Sequence, residues 1–413
     1  MTTVESTEMT MQIPPEMTEV MRLTKAGKLA EATAAIQQML HPRVAAPAAT
    51  ASNTIDADYT VLEQPSGTAA SVPTGKSVAD GSVVSRFDIA GTLKGLAARF
   101  QRATPEPVRP DTARDADVSD APRPSVQSRG RGSFTTASFA NAAGGRAYKL
   151  YVPANRHGPN LPLIVMLHGC TQNPDDFAAG TGMNAFAEEH GCIVAYPAQP
   201  TSANPQKCWS WFSPQHQQRD GGEPSIIAGI TRQVIAAHAV DPDRIYVAGL
   251  SAGGALAAIM GATYPELYAA VGVHSGLPVG AAHSIPSALA AMSKGPRPGI
   301  QGREGARAVP TIIFHGDQDT TVHPRNGDQL ATDATATKAQ LRSTVVEARA
   351  PGGKAYTRTV YRDATDVTHC EIWRIQGAGH AWSGGSSTGT YTDPAGPNAA
   401  REMLRFFLQH KLR

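Results

Sequence analysis

The chain has 413 residues, 41% of them hydrophobic and 17% charged, with a formal net charge of +2. That length allows one large domain with further material beside it. The near-neutral balance gives no electrostatic footprint for nucleic acid or an anionic surface, and no run of about 18 apolar residues is present to cross a bilayer.

The first residues, Met1-Thr-Thr-Val-Glu-Ser-Thr-Glu8, lack a basic region followed by an apolar one. No secretory signal is visible, so the cytoplasm is the expected location. Residues 1–15 read as unstructured. Between Glu16 and Leu40, apolar residues recur at helical spacing: Met17, Val20 and Met21, then Leu29, Ala32, Ile36 and Leu40, with Gly27 between the sets. A helical segment over 1–40 is expected, either packed on its own domain or docking on a granule or protein partner. From His41 the composition shifts to Ala, Pro, Ser, Thr, Asp and Arg. Of 4 Trp, 10 Tyr and 10 Phe, only Tyr59, Phe87 and Phe100 precede residue 132. Such a stretch buries too little apolar surface to offset its ordering entropy. A disordered linker is expected over 41–131, with a short amphipathic helix from Phe87 to Phe100.

The globular part is expected over 132–413. Ser133 to Phe139 and Arg146 to Val152 alternate like hairpin strands around Asn141-Ala-Ala-Gly-Gly145. Leu161 to Leu167 is a continuous apolar run suited to a central parallel strand. A helix is predicted at 184–190, a strand at 192–196, and a Pro-, Gln- and Trp-rich loop at 197–222. Pro224 then opens a helix from Ser225 to His238. A turn at Asp241 to Arg244 leads into a strand, Ile245 to Leu250, and a small-residue helix from Ala252. Further strands are predicted at 269–274, 311–315, 357–362 and 371–375. Residues 280–308 read as an insertion, 340–348 as helix or strand, and 398–410 as an amphipathic helix. Alternation of this kind predicts an α/β fold with a mostly parallel, doubly wound sheet.

One stretch organises the chemistry. Gly249-Leu-Ser251-Ala-Gly253 directly follows an apolar strand and precedes a helix. This is the nucleophile-elbow pattern, in which a sharp turn exposes a serine hydroxyl. Glycine is needed beside it because the turn brings backbone against backbone. The elbow also aims the Ala252 N–H at an oxyanion position.

A serine hydroxyl needs a base, and the base needs an orienting acid. In this arrangement the acid and the histidine follow in chain order, each after a strand. Gly316-Asp317-Gln-Asp319 follows the strand at 311–315, and Gly377-Ala-Gly379-His380 follows the strand at 371–375. Ser251, Asp319 and His380 are therefore the expected triad, with Asp317 as alternative acid, better placed to cap its turn. The second oxyanion amide is expected from His168-Gly-Cys170-Thr-Gln172, at the Cys170 N–H, with His168 supporting the loop. Trp209, Trp211 and Trp382 are candidates to form a substrate platform, although Trp209 and Trp211 equally suit packing of their own loop. The chemistry calls for no metal or organic cofactor.

Cys170, Cys192, Cys208 and Cys370 form no CxxC pair and no metal-ligand spacing. Cys192 reads as a buried thiol. Cys208–Cys370 is the pair considered for a disulfide, with the missing signal segment counting against it.

His168-Gly-Cys-Thr-Gln172, Gly249-Leu-Ser-Ala-Gly-Gly254, His274-Ser-Gly-Leu-Pro278 and Gly379-His-Ala-Trp-Ser-Gly-Gly385 together resemble the poly(3-hydroxybutyrate) depolymerase-type esterases. That family has the α/β-hydrolase fold and includes members resembling feruloyl and acetylxylan esterases. The resemblance runs from about residue 133 onward. It implies the same triad, the same two oxyanion amides, and hydrolysis of 3-hydroxyalkanoate esters through an acyl-enzyme. With no signal or polymer-binding domain evident, amorphous polymer, oligomers or small esters are the expected substrates. The competing expectations are an esterase of feruloyl or acetyl groups on carbohydrate, a peptidase, and a non-catalytic granule-binding protein.

Overall fold

The computed structural model describes residues 132–297, 308–338 and 340–412. The segments expected over 1–40 and 41–131, with the helix at Phe87–Phe100, lie outside the described residues.

Strands β1 (Ser133–Asn141) and β2 (Gly144–Val152) form the expected hairpin. The Asn141 side-chain oxygen accepts the Ala143 N–H at 2.8 Å and closes the turn. Next come β3 (Leu161–Leu167), α1 (Pro174–Thr181), α2 (Met183–His190) and β4 (Ile193–Pro197). Helix α3 (Gly222–Ala237) leads to β5 (Val240–Leu250), which starts five residues earlier than expected and takes in the 241–244 turn. Helix α4 (Ala252–Thr263) and β6 (Ala270–His274) follow. The stretch read as an insertion holds α5 (Ile285–Lys294). Then come β7 (Thr311–Gly316), α6 (Arg325–Thr335), β8 (Arg342–Arg349), β9 (Ala355–Arg362) and β10 (Thr368–Ile375). The 340–348 stretch, left open between helix and strand, is thus a strand. A short parallel pair, β11 (Trp382–Ser383) and β12 (Thr392–Asp393), precedes α7 (Ala399–Phe407).

Ten strands form one sheet in the order β1-β2-β4-β3-β5-β6-β7-β10-β9-β8. The middle six, β4 to β10 in that order, are parallel, while β2 and β9 join them antiparallel. This is the α/β-hydrolase arrangement. Because side chains alternate along a strand, β3 serves two cores at once. Leu163, Val165 and Leu167 belong to one buried cluster with Ile230 of α3, Leu256 of α4 and, farther along the sheet, Leu330 of α6. Ile164 and Met166 pack with Phe177 of α1, Met183 of α2 and Phe407 of α7. Burial of each such side chain contributes about 1.5–3 kcal/mol. Helix α7 can approach because Gly272 leaves room: a Cβ there would fall 2.8 Å from the Met403 sulfur. Tyr246 stacks on Phe407, with ring centres 5.0 Å apart.

Parallel strands end along one edge of the sheet, and open α/β sheets present their ligand crevice there. The loops after β3, β4, β5, β6, β7 and β10 carry every candidate site residue.

Candidate active site

Ser251 joins β5 to α4 with φ 58° and ψ −120°. A backbone held in that region costs on the order of 1–3 kcal/mol and persists only when its surroundings enforce it. They do. The Ser251 N–H donates to the His274 carbonyl at 2.9 Å, and the Ser251 carbonyl accepts from Ala255 N–H at 2.9 Å. A Cβ on Gly249 would lie 2.7 Å from the Leu167 carbonyl oxygen, and one on Gly253 would collide with the Leu167 and His168 carbonyls. The elbow glycines are thus required by the close passage of β3 and β5. Ala252 opens α4, so its N–H has no acceptor one turn earlier in the helix.

The loop after β3 lies against the elbow: a Cβ on Gly169 would come within 3.6 Å of the Ser251 Cβ. Gln172 holds this loop from inside. Its side-chain oxygen accepts the Gly169 N–H at 3.0 Å, and its amide donates to Asp176 at 2.9 Å and to the Thr390 carbonyl at 3.1 Å. His168 is buried and supports the loop. Its Nε2 accepts the Gln199 N–H at 3.1 Å, so the proton sits on Nδ1, which donates to the Gly169 carbonyl at 2.7 Å. Burial lowers its pKa to about 4, against the opposing pull of the Gly169 bond, which keeps the ring neutral.

A second set of bonds joins this loop to the one after β4. Cys170 and Cys208 form a disulfide with Cα atoms 4.2 Å apart, and the Thr171 N–H donates to the Gln206 carbonyl at 2.6 Å. The Cys208–Cys370 pair considered from the sequence is not formed: Cys208 bonds Cys170 instead, and Cys370 is free. Cys370 lies buried inside β10, and five strand positions of ~4.8 Å each separate β4 from β10. A disulfide needs Cα atoms within ~7 Å. Cys170 and Cys208 follow adjacent strands. Cys192 is buried and free, and burial pushes its thiol up to about 12.

Behind the disulfide lies a buried polar network. Gln199 donates to the Cys208 carbonyl at 2.9 Å and to Glu223 at 2.5 Å, and accepts from Arg146 Nε at 2.8 Å. Glu223 also accepts the Ser210 N–H at 2.7 Å. Nothing in the local pattern around Arg146, Gln199 or Glu223 marks them; their signal is polarity at positions that fold inward.

The tryptophans do not form an exposed platform. Trp209 is fully buried, with its Nε1–H bonded to the His168 carbonyl at 3.0 Å and its ring tilted against that of His168. Trp211 is buried in the same core. Trp382 is buried between the rings of His274 and Phe177. All three pack the loops that carry the site.

On the other side, His380 Nδ1 lies 2.7 Å from Asp319 Oδ2. Asp319 is 4% exposed. Its Oδ1 accepts the N–H groups of Thr321 at 2.9 Å and Val322 at 2.8 Å, and His315 Nε2 lies 3.5 Å from Oδ2. Burial alone would raise the Asp319 pKa. The His380 ring and the hydrogen bonds from His315 and His380 outweigh it and hold the carboxyl well below the usual carboxylate range. Asp317 is exposed and turned elsewhere, accepting the Gly377 N–H at 2.7 Å. The geometry unites His380 with Asp319, and gives Asp317 the turn-capping place. Among the described residues, no group of three or more His, Cys, Asp or Glu side chains is placed to hold a metal ion. No described helix is long and apolar enough to cross a membrane.

Comparison with known proteins places these features in a family. The family model for esterase PHB depolymerase matches residues 146–353, half of the chain. Poly(3-hydroxyalkanoate) depolymerase C of Paucimonas lemoignei is 34% identical over 247 residues, covering 57% of this chain and 56% of that protein. Acetylxylan esterase A of Talaromyces purpureogenus is 30% identical over 206 residues, 46% of this chain and 52% of that protein. The chain thus spans about half the length of these curated relatives. The solved structure of an acetyl xylan esterase from Aspergillus awamori shares the fold, with a TM-score of 0.52 and 22% identity over 67% of this chain and 99% of that one. With half its length matched by the family model, the chain belongs to the esterase PHB depolymerase family.

Proposed function

We propose that this chain is a serine carboxylic-ester hydrolase that cleaves ester bonds of poly- or oligo-3-hydroxyalkanoates. The observation that carries the mechanism is the buried Asp319–His380 hydrogen bond of 2.7 Å, on the same sheet edge as the strained Ser251 elbow. With Asp319 ionised, His380 keeps its proton on Nδ1 and presents the Nε2 lone pair. Ser251 Oγ attacks the ester carbonyl while Nε2 takes its proton. The resulting oxyanion is held by the N–H groups of Cys170 and Ala252. His380 returns the proton to the leaving hydroxyl group and an acyl-Ser251 remains. Water, deprotonated by His380, then releases the acid and restores the serine.

The depolymerase of Paucimonas lemoignei, matched over more of the chain than the acetylxylan esterases, supports the polyester substrate. A second reading, removal of acetyl groups from carbohydrate, has its support in those esterases. The Cys170–Cys208 bond favours an oxidising compartment over the cytoplasm expected from the N-terminal sequence. Contact with a granule through residues 16–40 belongs to the same proposal.

The test is release of 3-hydroxybutyrate from amorphous polymer and its oligomers, with a short soluble ester and acetylated xylan in parallel. Release that disappears in Ser251→Ala is expected, a loss on the order of 10⁴- to 10⁶-fold. Turnover of acetylated xylan alone would transfer the assignment to a carbohydrate esterase. Hydrolysis that survives in Ser251→Ala would remove the serine mechanism.

A further inference from the structure

We propose that His274 is a positioning residue that locks the Ser251 elbow to the loop bearing His380, through the hydrogen bond its ring accepts from the Ser383 amide. The proposal rests on the Ser251–His380–Asp319 mechanism above, and assigns a task to the His274-Ser-Gly-Leu-Pro278 motif that this mechanism leaves unused.

His274 ends β6, between the nucleophile strand β5 and the acid strand β7, and is 1% exposed. Its carbonyl accepts the Ser251 N–H at 2.9 Å. Its ring Nε2 accepts the Ser383 N–H at 3.0 Å, three residues beyond His380. A backbone N–H can only donate, so Nε2 is the bare nitrogen and Nδ1 carries the proton. Nδ1 donates to Ser275 Oγ at 3.2 Å. The ring stacks on Phe314, near the end of β7, with centres 5.8 Å apart, and on Trp382 at 5.2 Å. Ser275 in turn donates its N–H to the Phe314 carbonyl at 2.9 Å. One residue therefore touches the elbow, the acid strand and the histidine loop.

Both ring nitrogens are occupied, so His274 does not carry a proton in the reaction. Burial first, and then the neighbouring His315 and His380 rings, lower its pKa to about 3, with Asp319 opposing. A neutral ring is the form that can accept from Ser383. Protonation of Nε2 would put two donors face to face. A misplacement of about 1 Å between reacting groups costs on the order of 10²-fold in rate, which sets the scale of what this lock protects.

Two substitutions separate the acceptor from the stack. His274→Phe keeps a flat ring against Phe314 and Trp382 and removes the acceptor. His274→Gln loses the ring and restores an acceptor oxygen. Turnover of a short p-nitrophenyl ester is measured per active site, with sites counted by covalent fluorophosphonate labelling of Ser251. The Phe variant is expected to lose on the order of 10²-fold in kcat with KM little changed, and the Gln variant to recover most of it. Wild-type turnover per labelled site in the Phe variant, or equal damage in both variants, would overturn the proposal. Nitrogen NMR of the imidazole-labelled wild-type enzyme tests it without any substitution. The Nδ1–H tautomer is expected for His274, and an Nε2–H ring would overturn it. Should Ser251→Ala leave wild-type hydrolysis intact, the serine mechanism fails whatever His274 shows; a silent His274→Phe in an enzyme that needs Ser251 removes the positioning role alone.

Discussion

The two walls of the candidate site are built by different physics. The wall that carries the proposed oxyanion amides is tied by the Cys170–Cys208 bond and backed by the buried Arg146–Gln199–Glu223 network. The wall that carries His380 has no covalent tie. It is held by Asp319 on His380, by Gly377 N–H on Asp317, by Gln318 N–H on the Ala378 carbonyl, and by Ser383 N–H on the His274 ring. A backbone donor needs only a fixed place, which a covalent frame supplies. A proton carrier needs partners of the right charge, and hydrogen bonds to ionisable groups supply those. The first wall is therefore open to reduction, and the second to substitution of its charges.

The largest effect is expected on the second wall. Asp319→Asn keeps the shape but favours the wrong His380 tautomer, and kcat on a soluble ester should fall about 10⁴-fold. A loss of less than tenfold would show that Asp319 does not orient His380.

A smaller effect is expected on the first wall. Loss of one oxyanion donor costs about 10²–10³ in kcat, and loosening its loop should cost less, on the order of tenfold. Reduction of Cys170–Cys208, or Cys208→Ser, is the perturbation. Because the bond closes a separation of 38 residues, the same change should lower stability by roughly 2–4 kcal/mol. Denaturant unfolding with and without reductant measures it, and an unchanged midpoint would deny the clamp.

Acid weakens both walls. His168 on the first and His274 on the second both bind a proton more weakly folded than unfolded, with pKa values near 4 and 3. Unfolding therefore takes up protons once pH falls below about 6.5. Stability that is complete above that pH should decline at about 1.4 kcal/mol per pH unit for each ring. The decline from His168 should stop near pH 4 and that from His274 near pH 3. His410, buried just past the end of α7 with its pKa also lowered to about 4, adds a third equal share. Unfolding midpoints between pH 7 and pH 5 test this, and His168→Gln should remove about a third of the slope. A slope unaltered by that variant would show that His168 does not titrate on unfolding.

The smallest effect is expected at Asp317. Its carboxylate caps an exposed turn, so Asp317→Ala should change stability by about 1 kcal/mol or less and leave kcat nearly intact. A loss matching that of Asp319→Asn would reverse the choice of acid.

Much of the fold was legible because several of the parallel strands announce themselves as short apolar runs followed by a glycine-bearing loop. Leu161 to Leu167, Ile245 to Leu250 and Thr311 to His315 are of this kind. Helix α6 escaped notice because Arg325–Thr335 is polar apart from a narrow face of Leu330, Ala331 and Ala334. The exposed strand β8 was ambiguous for the opposite reason: all eight of its residues are exposed, so no buried face imposes a period. Ser251 and His380 stand out through local glycines. Asp319 and Asp317 are two residues apart in one loop, and only their hydrogen bonds tell them apart.

By itself the sequence determined most of the sheet strands and their order, and with them the loops that end on one sheet edge. Those follow from local causes: hydrophobic period, glycine at crowded turns, and the strand–turn–helix around Ser251. The tertiary structure alone decided which groups meet. It paired Cys170 with Cys208 because β3 and β4 are neighbours in the sheet, and for Trp209, Trp211 and Trp382 it decided between packing and a substrate platform by burying all three. It also gave His380 to Asp319, and the two ends of His274 to Ser251 and Ser383. Such pairings depend on distances between segments far apart along the chain, and only the packing of the sheet sets those distances.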